Sequence, residues 1–219
     1  VDELLSEREQ IEKIRLWWKE NGAFVIVGLA LGIGGIAGWN YWQAYKLEQA
    51  EKAGAAYAAM SVAVERGDGE LAAAELQTLE SDFASSGYTD QGRLLMARLR
   101  VEQGDLAAAA ELLRTLVDKS GDPELALVAR LRLARVLIAD GAGDEALGVL
   151  SLDRAGVFAP RFHELRGDIF AGRGEVEGAR EEYTLALAAG SPDVFDTQVV
   201  QFKLDALGAP VSEAADEGS

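Results

Sequence analysis

Between Glu20 and Lys46 the chain carries no charged side chain, and most of that gap is filled by "AFVIVGLALGIGGIAGWNYW", from Ala23 to Trp42. No other stretch restricts the possible folds so strongly. A helix rises about 1.5 Å per residue and a hydrocarbon core is about 30 Å thick, so roughly 20 apolar residues cross it. Ala23–Trp42 has that length. All four tryptophans of the protein flank the run, Trp17 and Trp18 before it and Trp39 and Trp42 at its far end. Trp18 and Trp39 lie about 32 Å apart on a helix, which places indoles in both headgroup layers, where an amphipathic ring is most stable. A core helix of a soluble domain has no reason to sort its tryptophans in this way. A cleaved signal sequence would explain the small residues of Gly35-Ile36-Ala37, but the first 20 residues hold six acids and four bases, whereas a signal peptide starts cationic. An uncleaved transmembrane helix over residues 21–45 is expected, behind a leader of residues 1–20.

Basic residues near the span set its orientation. Arg8, Lys13, Arg15 and Lys19 precede it, against Lys46 and Lys52 after it, so the leader is expected in the cytoplasm and the rest exported. Leu4, Ile11 and Trp18, with Ile14, give the leader a heptad-like stripe, as in a short amphipathic helix lying on the membrane face. From Lys46 onward there are 31 acids and 17 bases, a net charge of −14. Such a surface repels phosphate backbones, which argues against nucleic-acid binding. The absence of cysteine suits an oxidising or a reducing compartment equally.

This exported region is rich in Ala, Leu, Glu and Arg, which favours helices throughout, and Pro123, Pro160, Pro192 and Pro210 sit where helices should break. Three stretches align without gaps: "MARLRVEQGDLAAAAELL" from Met96, "LARVLIADGAGDEALGVL" from Leu133 and "RGDIFAGRGEVEGAREEY" from Arg166. A small residue in each (Ala97, Ala134, Gly167) is followed seven positions later by a glycine (Gly104, Gly141, Gly174). An alanine comes five further on (Ala109, Ala146, Ala179), then a bulky residue (Leu113, Leu150, Tyr183). The copies are offset by 37 and 33 residues, and Gly67, Ala72 and Leu76 form a weaker copy 37 residues upstream.

The physical sense of the pattern is an antiparallel helix pair. Glycine makes the turn, small residues let the helices approach, and bulky ones fill the seam. One pair leaves an apolar face exposed, so neighbours must stack into a solenoid. Period and residue order resemble the tetratricopeptide repeat, although Arg93, Arg130 and His163 stand where its first helix usually has an aromatic residue; the alternative is a generic helical bundle. Arg98, Arg135 and Asp168 occupy equivalent positions and are candidates for a partner groove lined by the first helices. Residues 193–207 read as a closing amphipathic helix, and 208–219 as a disordered acidic tail. The fold expected is therefore all-α, a transmembrane helix followed by a helical-repeat domain over 46–207.

No catalytic, cofactor or metal site is expected. With one histidine, His163, and no cysteine, imidazole or thiolate metal sites and Cys–His catalysis lack raw material. "GIGGIAG" at Gly32–Gly38 follows no strand and lies at membrane depth, so it is not a dinucleotide fingerprint. "REEY" at Arg180 and "DPE" at Asp122 read as solvated faces or turns. Gly28, Gly32 and Gly35 share one helix face, and Gly34 and Gly38 repeat the small-xxx-small spacing. That either lets another membrane helix approach closely or reflects the ordinary tolerance of membrane helices for glycine.

The order of these motifs resembles the ancillary subunit family of the bacterial Sec translocon. The resemblance is carried by "EQIEKIRLWWKENGAFVIVGLALGIGGIAGWNYW" at Glu9–Trp42, "LRLARVLI" at Leu131–Ile138, "ELRGDIFAGRGEVEGAR" at Glu164–Arg180 and "QFKLDAL" at Gln201–Leu207. It implies a single-pass inner-membrane protein with a cytoplasmic leader and a periplasmic tetratricopeptide-like domain. Implied partners are the SecYEG channel, a membrane-anchored chaperone of the prolyl-isomerase type, and emerging polypeptides handed on to periplasmic chaperones. The family also implies, in some bacteria, modulation of an envelope-stress regulator. It carries over no catalytic residue. Three roles stand: translocon accessory, stress regulator, and scaffold for another envelope machine.

Overall fold

The computed structural model describes residues 2–190 and 195–208, with side chains described for 9–153, 155–190 and 195–208. The tail over 209–219, the first two residues of the expected closing helix, Pro192, Pro210 and the Leu4 side chain lie outside the described residues. Among those described, all regular structure is helical, and the chain divides into two compact units, Val1–Lys52 and Ala53–Ser219.

The first helix, α1 (Asp2–Glu65), runs without interruption through the leader and the apolar stretch and into the second unit. The leader is thus not a separate element: nothing between Glu9 and Ala23 breaks a helix, and Asn21 turns its amide inward to donate from Nδ2 to the Trp17 carbonyl at 3.0 Å. α1 is the one helix among those described that is long and apolar enough to cross a membrane. Its apolar side chains are bare, Phe24 at 78 % exposure and Leu31 at 72 %. Leaving such side chains in water costs about 1.5–3 kcal/mol each, and none of the described residues covers them.

The second unit is built from helix pairs. The last turns of α1 share a buried cluster with α2 (Gly69–Asp82), and α3 (Gly87–Glu102) pairs with α4 (Leu106–Lys119), α5 (Pro123–Ala139) with α6 (Gly143–Val149), and α7 (Ala159–Gly172) with α8 (Val176–Ala189); α9 (Thr197–Ala206) packs on α8. Each pair turns on a glycine in the left-handed region: Gly67, Gly104, Gly141 and Gly174, with φ of 73°, 80°, 79° and 75°. The glycine N–H donates to the carbonyl three residues back, and the next N–H to the carbonyl five back, as in Gly104 to Val101 at 3.0 Å and Asp105 to Arg100 at 2.8 Å. The same two bonds recur at Gly67–Asp68, Gly141–Ala142 and Gly174–Glu175. This helix-ending motif satisfies carbonyls that the last turn leaves free, and Asp68 and Asp105 then cap the next helix by accepting from the N–H of Leu71 and Ala108. The weak upstream copy is therefore a full fourth hairpin, with Met60 at its small-residue position.

The alanines after the turns, Ala72, Ala109, Ala146 and Ala179, are completely buried in the seams, as is Ala134, and Ala97 nearly so. Their bulky companions Leu76, Leu113, Leu150 and Tyr183 are buried with them. The drop in period from 37 to 33 has a local cause. α6 has 7 residues where α4 has 14, and two 3-10 turns, Leu152–Arg154 and Gly156–Phe158, carry the chain on to α7.

Candidate partner-binding surfaces

Two surfaces could receive a partner. The first is the bare stretch of α1. A Cβ placed on Gly28, Gly32, Gly34, Gly35 or Gly38 would meet no atom within 4 Å, so these glycines lie open on the exposed surface of the helix. At the C-terminal end of the stretch the Trp39 and Trp42 rings meet at a tilt of 43° with centroids 5.2 Å apart, and the Lys46 ammonium lies 4.1 Å from the Trp42 ring centre. An indole pair beside a cation is the chemistry of an interfacial belt. Trp17 and Trp18, at the other end, are about half exposed.

The second surface lies on the first helices of the second and third hairpins. α3 and α5, with Leu113 of α4 beneath, enclose a depression of about 240 Å³ whose walls are Leu94, Ala97, Val101 and Val136 and whose rim carries Arg98, Arg132 and Arg135. Arg98 and Arg135 thus converge on one groove. Asp168, expected beside them, does not join it. Its carboxylate accepts from Lys203 Nζ of α9 at 2.8 Å on both oxygens and from the Tyr183 hydroxyl at 2.8 Å. Burial works against the Lys203 charge, but Asp168 and the neighbouring Glu164 carboxylate, 2.9 Å away, more than offset it, and its pKa is raised. The row of equivalent positions therefore ends at Arg135, because α9 has closed the fourth.

Arg93, Arg130 and His163, the polar residues standing where the repeat family usually has an aromatic one, are not partner contacts either. Each bonds across hairpin seams. Arg93 reaches Glu80 of α2 at 2.8 Å. Arg130 donates to the carbonyls of Val149 and Ser151 at the end of α6 and lies over the Phe162 ring. His163 Nδ1 sits 2.7 Å from Glu182 of α8, which also accepts from Arg166. Glu182 and Glu164, both buried, are fully paired through these contacts. Sequence reasoning missed Arg132, a groove residue three positions before Arg135, and Lys203; neither belongs to the repeat pattern.

A family model described as a tetratricopeptide repeat-like domain matches residues 15–209, and so takes in the apolar stretch as well as the hairpins. The ancillary SecYEG translocon subunit of Haemophilus influenzae is 30% identical over 203 residues, 93% of this chain and 98% of its own length. The protein of the same name in Escherichia coli is 30% identical over 204 residues, 92% of this chain and 97% of its own. In Neisseria gonorrhoeae the figures are 26% over 204 residues, 93% and 98%.

Proposed function

The chain belongs to the ancillary SecYEG translocon subunits, with their tetratricopeptide repeat-like domain, and from that premise we propose that it is a non-catalytic, single-pass accessory of the Sec channel. α1 lies in the inner membrane with its leader in the cytoplasm, and the hairpins stand in the periplasm, where they hand emerging polypeptides to chaperones, among them a membrane-anchored one of the prolyl-isomerase type. One observation carries the reading: a helix with an exposed apolar surface and open glycine positions precedes helix pairs whose seams are closed by buried residues. The basic residues preceding the span support the orientation. Exposed glycines on a membrane helix let a neighbouring membrane helix approach the α1 backbone closely.

The test is purification of the full chain from envelopes in mild detergent. SecYEG is expected in the eluate, and in reduced amount with Gly32→Leu, which covers the glycine face while raising apolarity and so leaves insertion intact. An eluate without SecYEG overturns the translocon role; wild-type recovery with Gly32→Leu overturns the glycine face as the contact.

A further inference from the structure

We infer that the groove between α3 and α5 is a docking site for a polypeptide segment that carries carboxylates beside aliphatic side chains. The floor is apolar and open, with Val101 41 % exposed and Leu94 half-buried. At about 240 Å³ it falls below the roughly 300–1,000 Å³ of small-molecule sites and suits side chains projecting from a larger partner.

Charge selects that partner. The protein carries a net −16, and most of the solenoid's guanidinium groups are spent on its own acids: Arg93 on Glu80 and Asp90, Arg114 on Glu111 and Glu145, Arg166 on Glu182. Arg132 and Arg135 form no ion pair or hydrogen bond among the described residues, and both are exposed. Arg98 pairs only along its own helix, with exposed Glu102 at 3.1 Å. Two cations without an acidic partner among the described residues thus stand, together with Arg98, around an apolar depression of an acidic molecule. Arginine suits both demands, laying its aliphatic stem on the floor while its planar head grips a carboxylate through two parallel bonds. At the neighbouring repeat position Asp168 is neutralised by Lys203. Nothing in this inference depends on the translocon assignment.

The full chain in a non-ionic detergent is titrated into a fluorescein-labelled peptide of alternating aspartate or glutamate and leucine, with anisotropy as readout. The acidic peptide is expected to bind, to bind more weakly as salt rises, and to lose at least tenfold in affinity with Arg132→Glu combined with Arg135→Glu. Val101→Asp, on an exposed floor position, keeps all three arginines and is expected to weaken the same peptide, so the two variants attack the site by different means. Equal binding of a lysine-for-acid peptide, or unchanged affinity in both variants, overturns the proposal. Displacement of the peptide by phosphatidylglycerol vesicles but not by excess unlabelled peptide also overturns it, and assigns the groove to anionic lipid.

Discussion

Gly167 has almost no space above it. A Cβ built there would lie 2.5 Å from Cε1 and 2.6 Å from Cδ1 of the Tyr183 ring. The ring cannot swing aside freely, because its hydroxyl donates to Asp168 at 2.8 Å and its body is buried. Gly167→Ala should therefore overpack the α7–α8 seam and cost about 1–3 kcal/mol, lowering the thermal midpoint of the full chain by several degrees at about 2–4 °C per kcal/mol. Gly148 in α6 has no atom within 4 Å of a built Cβ. Gly148→Ala should be neutral or raise the midpoint, since glycine inside a helix costs up to about 1 kcal/mol against alanine. Melting curves followed by circular dichroism compare the two; equal effects would mean the seam is looser than its geometry. Residues such as Gly167 are legible in the sequence, because a seam position tolerates few residue types and repeats at a fixed distance from its turn glycine. Arg130 and His163 are not. Their partners Val149, Ser151 and Glu182 lie 19 to 21 positions away, on or just past another helix, and the pairing follows from how two helices face each other rather than from any local spacing.

At the scale of elements, α9 is the piece whose docking rests most on titratable groups. Val200 and Phe195 bury an apolar face against Tyr183 and Ala186, and Lys203 ties the helix to Glu164 and Asp168 of α7. Burial, and then the bond to Asp168, push the Tyr183 hydroxyl well above its ordinary pKa of 10.0. Lys203, ordinarily at 10.5, is raised as well, by Asp168 and Glu164 against the opposing effect of burial. Both groups hold their protons more tightly folded than unfolded. Their contribution is therefore fully present below about pH 10 and is lost as pH rises through the folded-state values. The thermal midpoint of the wild type should fall above pH 10, as far as the protein stays folded, more steeply than that of Tyr183→Phe, which starts lower but has one fewer group to ionise. Parallel curves would show that the Tyr183 proton is not linked to stability. A closing helix over 193–207 can be read from amphipathic spacing alone, and α9 lies within it. That its one lysine would take Asp168 out of the partner row cannot be read so, since α9 reaches α7 across a gap of 35 residues.

The molecule joins a unit that carries an exposed apolar helix to one whose apolar clusters are formed by its own residues. The core clusters of Ala53–Ser219 are built from that unit's own residues, so its fold does not account for why an apolar helix of membrane length is attached to it. Placement does. With no nucleophile, thiol or cofactor loop in the proposed mechanism, an effect on export has to scale with occupancy of a partner, and occupancy depends on local concentration. A tether holding a binding surface beside its target raises the effective concentration to roughly the millimolar range for a short linker, far above that of a free envelope protein at ordinary abundance. The solenoid released from Lys46 onward should thus lose most of its crosslinking to a nascent exported chain at native expression, in cells lacking the intact protein, and regain part of it when overproduced. The anchored form with Arg132→Glu and Arg135→Glu should stay at the channel yet crosslink less to acidic nascent chains, which separates placement from recognition in one experiment. Full crosslinking by the untethered solenoid at native level would make the membrane helix incidental and leave a diffusible binder, because a surface that needs no elevated concentration gains nothing from being held beside the channel.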